Sequence, residues 1–264
     1  MFLSDTEQML SQEYLRQGYV IRSVADLNAL DWIQTKFVEL TSEILGTTLD
    51  DKPEDVLNQI HKQVSVSQLN TFRLKIIHGI NRIHEFRSMY YRVARPYLET
   101  LVGNELAMQL RVNLSIQFPN DDSSLLPVHA DTWSGDSPYE VVVWLPMVDC
   151  YRTKAMYLLP PHASKELNKE FAARAGNSSE DLYQLIKKDV QFLEVKYGEV
   201  LIFDQGLPHG NRTNEESETR WSMNCRFKGV FTPYGDKKIG EFFEPITLRS
   251  ASRIGMSYKL PLTS

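Results

Sequence analysis

The chain has 264 residues and a mass of 30.5 kDa, enough for one large domain or two small ones with a full hydrophobic core. Hydrophobic residues at 42% and charged residues at 24% exclude disorder as the main state, and 29 basic against 34 acidic residues leave no basic footprint for nucleic acid. The longest apolar stretch, Val141 to Val148, contains Pro146 and is too short to cross a bilayer.

Helical signals dominate as far as Gly103. Asp5 to Gln17 reads as a helix closed by Gly18, Tyr19 to Ile21 as a small strand, and Ala25 to Leu45 as a long amphipathic helix with Gly46 beyond its end. Pro53 opens a helix running to Val64, and Ser67 to Leu101 is mostly helical with a break before Pro96. Residues 1–60 hold eleven acidic and four basic residues, whereas Thr71 to Pro96 holds six basic and one acidic. That basic stretch reads either as a solvated helix face or as a docking surface for an anionic substrate or partner.

From Leu106 the period becomes two. Gln109, Arg111, Asn113, Ser115 and Gln117 alternate with Met108, Leu110, Val112, Leu114, Ile116 and Phe118, which predicts one strand with a polar and an oily face. Glu140 to Val148 predicts a strand covered on both faces, and Lys154 to Leu159 a further strand ended by Pro160-Pro161. A helical insertion is expected over Ser164 to Lys188, interrupted at Gly176-Asn177. Val190 to Val195 and Val200 to Phe203 read as a hairpin around Tyr197-Gly198-Glu199. Thr219 to Phe227 alternates again, Arg220, Ser222, Asn224 and Arg226 against Trp221, Met223, Cys225 and Phe227. This order predicts a single domain over 1–264, mainly β with α. It has a helical support region over 1–103, a jelly-roll core over 104–230 with the insertion 164–188, and a C-terminal extension over 231–264. The oily strand faces are expected under the helices, and the polar faces in the barrel mouth or in solvent.

Met1-Phe2-Leu3-Ser4-Asp5 has neither a basic nor a long apolar region, so no signal peptide is expected. With only Cys150 and Cys225, a disulfide framework is excluded and a reducing, cytoplasmic setting is expected.

The chemistry concentrates in His129, Asp131 and His209. His129-Ala130-Asp131 follows the strand-like Leu125-Leu126-Pro127-Val128, and residues two apart on a strand point to one side, so both side chains can reach one metal ion. His209 follows the strand Val200 to Phe203 and the turn Gly206-Leu207-Pro208, and in a jelly roll those strand ends can meet. Two imidazoles and a carboxylate form a facial triad suited to Fe(II), with open positions for a chelating co-substrate and dioxygen. Arg220 lies eleven residues beyond His209, with Ser222 on the same face. A guanidinium and a hydroxyl are what the far carboxylate of a dicarboxylate such as 2-oxoglutarate needs. Arg226, six residues further along that face, and Arg212, in a turn close to His209, are rivals for it.

Asn113 and Gln117 read either as co-substrate ligands or as lining of the barrel. Among the aromatics Trp133, Tyr139, Trp144 and Tyr157, Trp144 belongs to the core, while Trp133, beside Ser134-Gly135-Asp136, is a candidate to stack on a substrate. Asp136, Tyr139, Glu140 and Arg152 are weaker candidates for its polar groups. His61, His78, His84 and His162 are given no role. No dinucleotide or phosphate-binding glycine motif and no nucleophile elbow occurs, and neither cysteine has a zinc-type partner.

His129-Ala130-Asp131, His209-Gly210-Asn211 and Arg220-Trp221-Ser222 together resemble the HxD…H…RxS pattern of Fe(II)/2-oxoglutarate-dependent oxygenases. The histidine-to-arginine gap is similar to that of the phytanoyl-CoA dioxygenase-like branch. The run from His129 to Pro146 resembles a bacterial group found in carbohydrate-biosynthesis clusters. The resemblance covers Leu106 to Lys228. It implies a double-stranded β-helix (a cupin-like jelly roll), Fe(II) on His129, Asp131 and His209, and 2-oxoglutarate on Arg220 and Ser222. It also implies O2 as oxidant, release of succinate and CO2, and hydroxylation of a small polar metabolite such as a sugar or sugar conjugate. Two other readings stand beside it. One is a metal-dependent cupin-like isomerase or lyase, needing neither 2-oxoglutarate nor Arg220. The other is a non-catalytic jelly-roll binding module. The partner expected in the first two is a small molecule, with no nucleic acid and no membrane.

Overall fold

The computed structural model describes residues 2–49, 51–170 and 178–261. Its helices start and stop where the capping chemistry puts them. Helix α1 (Asp5–Gln17) opens on a reciprocal capping box between Ser4 and Glu7 and closes on Gly18 in the left-handed region (φ 77°), ahead of strand β1 (Tyr19–Ser23). Helix α2 (Leu27–Leu45) is capped by the Asp26 carboxylate, which accepts from Ala29 N, and ends at Gly46. Helix α3 (Pro53–Asn58) carries Pro at its start and gives way to a 3-10 turn, Ile60–Lys62. The long helical stretch then divides into α4 (Val66–Arg82), α5 (Phe86–Arg92) and α6 (Arg95–Leu101). The second break precedes Pro96 as expected. The first, over 83–85, has no Gly or Pro to announce it; it turns the chain so that Phe86 packs against Trp32 and Phe37.

The strands are β2 (Leu106–Gln109), β3 (Asn113–Gln117), β4 (Glu140–Pro146), β5 (Met156–Leu158), β6 (Gln191–Leu193), β7 (Glu199–Asp204), β8 (His209–Gly210), β9 (Arg220–Gly229) and β10 (Phe243–Pro245). Seven strands form an antiparallel sheet in the order β1-β7-β4-β9-β2-β10, with β3 also paired to β9, and three form a second sheet, β6-β5-β8. Helices α7 (Pro161–Glu170) and α8 (Ser179–Ile186) lie between β5 and β6, the first starting three residues before the helical stretch expected from Ser164; the interruption expected at Gly176-Asn177 lies outside the described residues. Helix α9 (Ser250–Ser257) follows β10 in the C-terminal extension.

Two expectations are corrected. The single strand from Met108 to Phe118 is two strands on one partner: Met108 faces Phe227 and Asn113 faces Asn224, so two extra residues bulge out between them. Their backbone groups are met elsewhere. Leu110 N donates to Phe242 O, and the Asn81 carboxamide of α4 both accepts from Val112 N (2.9 Å) and donates to Val112 O (3.0 Å). The hairpin expected around Tyr197-Gly198-Glu199 is a change of sheet instead. β6 pairs with β5, while β7 lies between β1 and β4. The connection is tied down by Tyr197 N, which donates to the Asp149 carboxylate.

The oily faces of β3 and β9 share one core with the helices. Leu114, Ile116, Met223, Cys225 and Phe227 pack with Leu30, Ile33 and Phe37 of α2 and with Phe72, Ile76 and Ile80 of α4. Trp221 stands edge-on to both Phe37 and Phe72, and its Nε1 donates to Leu57 O. Each such side chain contributes about 1.5–3 kcal/mol on burial, so the helical layer is part of what holds the sheet. On the opposite face Val142, Trp144, Leu201 and Phe203 pack against Met156, Leu158 and Leu193 of the smaller sheet. The polar faces of β3 and β9 open into a cavity between the sheets.

Candidate metal centre

His129 and His209 meet as an antiparallel backbone bridge, His129 N donating to His209 O (3.0 Å) and His209 N to His129 O (2.8 Å). Leu125 to Val128 is not a strand: the β-bridge here is at His129 itself, Leu126 O accepts from Asn211 N, and Asp131 already opens a 3-10 turn, Asp131–Ser134. Ala130 between them is extended, which is enough to send His129 and Asp131 to one side. The potential ligand atoms of His129, Asp131 and His209 lie within 4.8 Å of one another. Both imidazoles are held in the same way: His129 Nδ1 donates to Pro127 O and His209 Nδ1 to Leu207 O, each at 2.9 Å. A carbonyl only accepts, so Nδ1 carries a proton, and the tautomer this selects in a neutral imidazole has its lone pair on Nε2, where a metal can take it. Burial, reinforced by His129, drives His209 down to about 4, which keeps it neutral, the state that ligates.

Asp131 is fixed at both ends. Its N–H donates to Gln205 O (3.0 Å), and its Oδ2 pairs with Arg226 Nη2 at 2.7 Å. Arg226 also donates from Nε to Gln205 Oε1 and from Nη1 to Gln109 Oε1. Its charge is thus already matched, which removes it as a rival for the co-substrate. Arg212 is removed too: it pairs with Glu180 at 2.6 Å and stacks on Tyr183.

The triad lines a cavity of about 250 Å³ together with Asn113, Ser115, Trp144, Arg220, Ser222 and Asn224. Arg226 lies six positions beyond Arg220 on an extended strand, roughly 20 Å from Cα to Cα, so the two arginines serve opposite ends of it. Arg220 is only 3% exposed, its Nη2 donates to Ser115 Oγ (2.8 Å), and its Nε has no partner. The Ser222 hydroxyl beside it is buried and unpartnered as well. Among the described residues no carboxylate pairs with Arg220, and burial pushes its guanidinium down to about 10. A buried cation next to an idle hydroxyl, both on a cavity, is complementary to an anion that the chain itself does not provide. The donor set thus fits the expected group at both ends: a two-histidine, one-carboxylate triad for a divalent metal, and an uncompensated arginine for a carboxylate.

The other predicted residues divide. Asn113 lines the cavity and donates to Asn224 Oδ1. Gln117 is fully buried but turned to the chain, its Nε2 donating to Arg212 O (2.7 Å). Asp136 is buried in an ion pair with Lys237 at 2.7 Å, with Arg226 Nε 3.7 Å away. Glu140 accepts from Gln205 Nε2 and Ser137 N, and burial raises its carboxyl. Trp133, Tyr139 and Arg152 are exposed and none lines the cavity. No residue of the basic stretch 71–96 lines it either. Sequence reasoning missed Ser115 and Gln205. Ser115 was legible as the middle of the polar face between Asn113 and Gln117; Gln205 carries no motif, since its role arises only where the β7 turn crosses Asp131.

No family model matches the chain, and no curated protein matches it. Solved structures do. The non-heme alpha-ketoglutarate-dependent carbocyclase SnoK from nogalamycin biosynthesis aligns over 93% of this chain and 97% of its own, at 16% identity and a TM-score of 0.56. The non-heme monooxygenase ThoJ, solved as a nickel complex, aligns over 92% and 85% at 13% identity and a TM-score of 0.54. EctD from S. alaskensis aligns over 91% and 83% at 16% identity and a TM-score of 0.52. At these identities the likeness is one of fold. The structures that share it include non-heme, alpha-ketoglutarate-dependent enzymes. In this chain His129, Asp131 and His209 can bind the metal.

Proposed function

We propose that the protein is an Fe(II)- and 2-oxoglutarate-dependent oxygenase built on a double-stranded β-helix. In this reading the chain works as a single domain in the cytoplasm. His129, Asp131 and His209 hold Fe(II), and Arg220 with Ser222 takes the far carboxylate of 2-oxoglutarate. The observation that carries this is the buried, uncompensated Arg220 on the same cavity as the triad. A metal-dependent isomerase or lyase has no use for such a cation, and a binding module has no use for an intact triad.

Fe(II) held by His129, Asp131 and His209 would, with 2-oxoglutarate and O2, supply an oxidant for a C–H bond of the substrate, the co-substrate leaving as succinate and CO2. The chain's own part is binding and orientation. Pro127 O and Leu207 O fix the imidazole tautomers, Arg226 fixes Asp131, and Arg220 with Ser115 and Ser222 sets the direction of the co-substrate. Trp144, Val142, Met156 and Phe203 line the cavity with apolar surface and limit water around the reacting groups. The substrate we infer is a small polar metabolite, a sugar or sugar conjugate. Support comes from the resemblance of residues 129–146 to the carbohydrate-cluster group and of the histidine-to-arginine spacing to the phytanoyl-CoA dioxygenase-like branch.

The test is anaerobic titration of the metal-free protein with Fe(II) and then 2-oxoglutarate, followed in the visible range. A charge-transfer band that is absent in His209→Ala supports the reading. Metal binding without a band favours the isomerase or lyase, and no binding of either favours the binding module. Product mass then decides the reaction: a gain of one oxygen atom is hydroxylation, a loss of two hydrogens desaturation or ring closure, and no change epimerisation.

A further inference from the structure

Asp131 offers two oxygens in two different environments. Oδ2 is 2.7 Å from Arg226 Nη2, in an ion pair whose side chains are 7% and 13% exposed. Oδ1 faces the partner ligand, 3.6 Å from His129 Nε2. A carboxylate binds a metal through one oxygen or through both, and the difference is one coordination position. An oxygen held by a buried, charge-assisted hydrogen bond is not free to chelate.

Arg226 is itself immobilised. Gln205 Nε2 donates to Ser137 O and to Glu140 Oε2, both at 2.9 Å, so the Gln205 carboxamide has one orientation and its Oε1 must face Arg226 Nε (3.0 Å). From the other side Gln109 Oε1 accepts from both Arg226 N (3.2 Å) and Nη1 (3.3 Å). Asp136, balanced by Lys237, adds negative charge 3.7 Å from Nε. Gln205 also accepts the Asp131 N–H, so one residue positions the Asp131 backbone directly and its carboxylate through Arg226.

We infer that Arg226 is a positioning residue that restricts Asp131 to a single metal-binding oxygen and thereby keeps open a coordination position beyond the two a chelating co-substrate occupies. This rests on the reading of the triad as a metal site. The test uses Mn(II) as the probe and does not depend on turnover. Wild type, Arg226→Met and Arg226→Gln would be loaded with Mn(II) anaerobically, and the exchangeable waters on the ion counted by pulsed EPR in deuterated water, with thermal unfolding as the control for folding. Arg226→Gln retains polar partners in Gln109 and Gln205 but falls short of Asp131. Each variant is expected to hold one water fewer than the wild type, because the freed Oδ2 takes its position. Equal counts would overturn the proposal. So would a wild-type crystal structure with Mn(II) in which Asp131 binds through both oxygens, a measurement that needs no variant. A wild type that binds no Mn(II) brings down the metal reading and the inference with it, which distinguishes the two failures.

Discussion

Arg220→Met separates a ligand-binding arginine from a structural one, because the two roles predict opposite signs. Burial drives the guanidinium well down from the ordinary arginine range, to about 10. At ~1.4 kcal/mol per unit the charged form costs the folded protein about 3 kcal/mol. Arg220 is protonated in both states at neutral pH, so the full penalty applies there and fades only as pH rises through 10 towards the ordinary arginine range. Methionine fills similar volume without charge and gives up the hydrogen bond to Ser115, worth about 1 kcal/mol. The metal-free variant is therefore expected to be more stable than the wild type by about 2 kcal/mol, roughly 4–8 °C in Tm for a domain of this size. At the same time it loses a charge-assisted contact to the co-substrate worth at least ~2 kcal/mol, about 30-fold in Kd. Thermal unfolding with and without Mn(II) plus 2-oxoglutarate reads both effects, since a ligand that binds only the folded state raises Tm. A variant with lower Tm and undiminished response to 2-oxoglutarate would show that Arg220 is an internal strut whose unmatched charge marks no ligand.

Metal-free protein should lose stability as pH falls from 6.5 to 4, because His209 is neutral in the fold and protonates first in the unfolded chain; by pH 5 the loss is about 2 kcal/mol. Urea unfolding at pH 7 and pH 5 should show a smaller drop in His209→Asn, and an equal drop would assign the effect to other groups. Asn81→Ala removes both partners of Val112 and should destabilise by about 1–3 kcal/mol, lowering the urea midpoint; an unchanged midpoint would mean the bulge needs no clamp. Lys154→Met leaves Asn58 Oδ1 and Glu218 Oε2 without the buried ammonium now 2.7 and 2.9 Å away, and should cost about 1–3 kcal/mol. Glu218→Gln at the same site should cost less, since its side chain is partly in water.

The fold was legible where a local rule decides the outcome. Gly18 and Gly46 close their helices in the left-handed conformation that only a missing Cβ makes easy, and Asp26 and Ser4 open theirs through side-chain oxygens. It was illegible where the deciding contact is distant. The bulge between β2 and β3 inserts two residues, an even number, so the alternation of polar and apolar side chains runs through it without a fault. The backbone groups that the bulge frees at Val112 are met by Asn81, on a helix and distant in sequence. The turn at Tyr197 likewise has the composition of a hairpin; whether the two strands pair or part depends on Asp149 and on the partners β5 and β4 waiting in different sheets.

The site follows the same division. His129, Asp131 and His209 stand out in the sequence because few residue types ligate metals and a spacing of two is visible to the eye. Arg220 and Arg226 are the instructive pair. They are the same residue on the same face of one strand, and residue type and periodicity rank them equally as anion binders. Their surroundings do not. Arg226 is enclosed by Asp131, Gln205 and Gln109, each engaging a different nitrogen, so it has no charge to offer a ligand, and its short ion pair is to the Asp131 carboxylate. Arg220 has a serine hydroxyl, an unpartnered Nε and a cavity. A buried charge without a counter-ion is unfavourable in the free protein and is kept only where something arrives to match it. The proposed roles, Arg226 toward the metal ligand and Arg220 toward the co-substrate, rest on that asymmetry of partners.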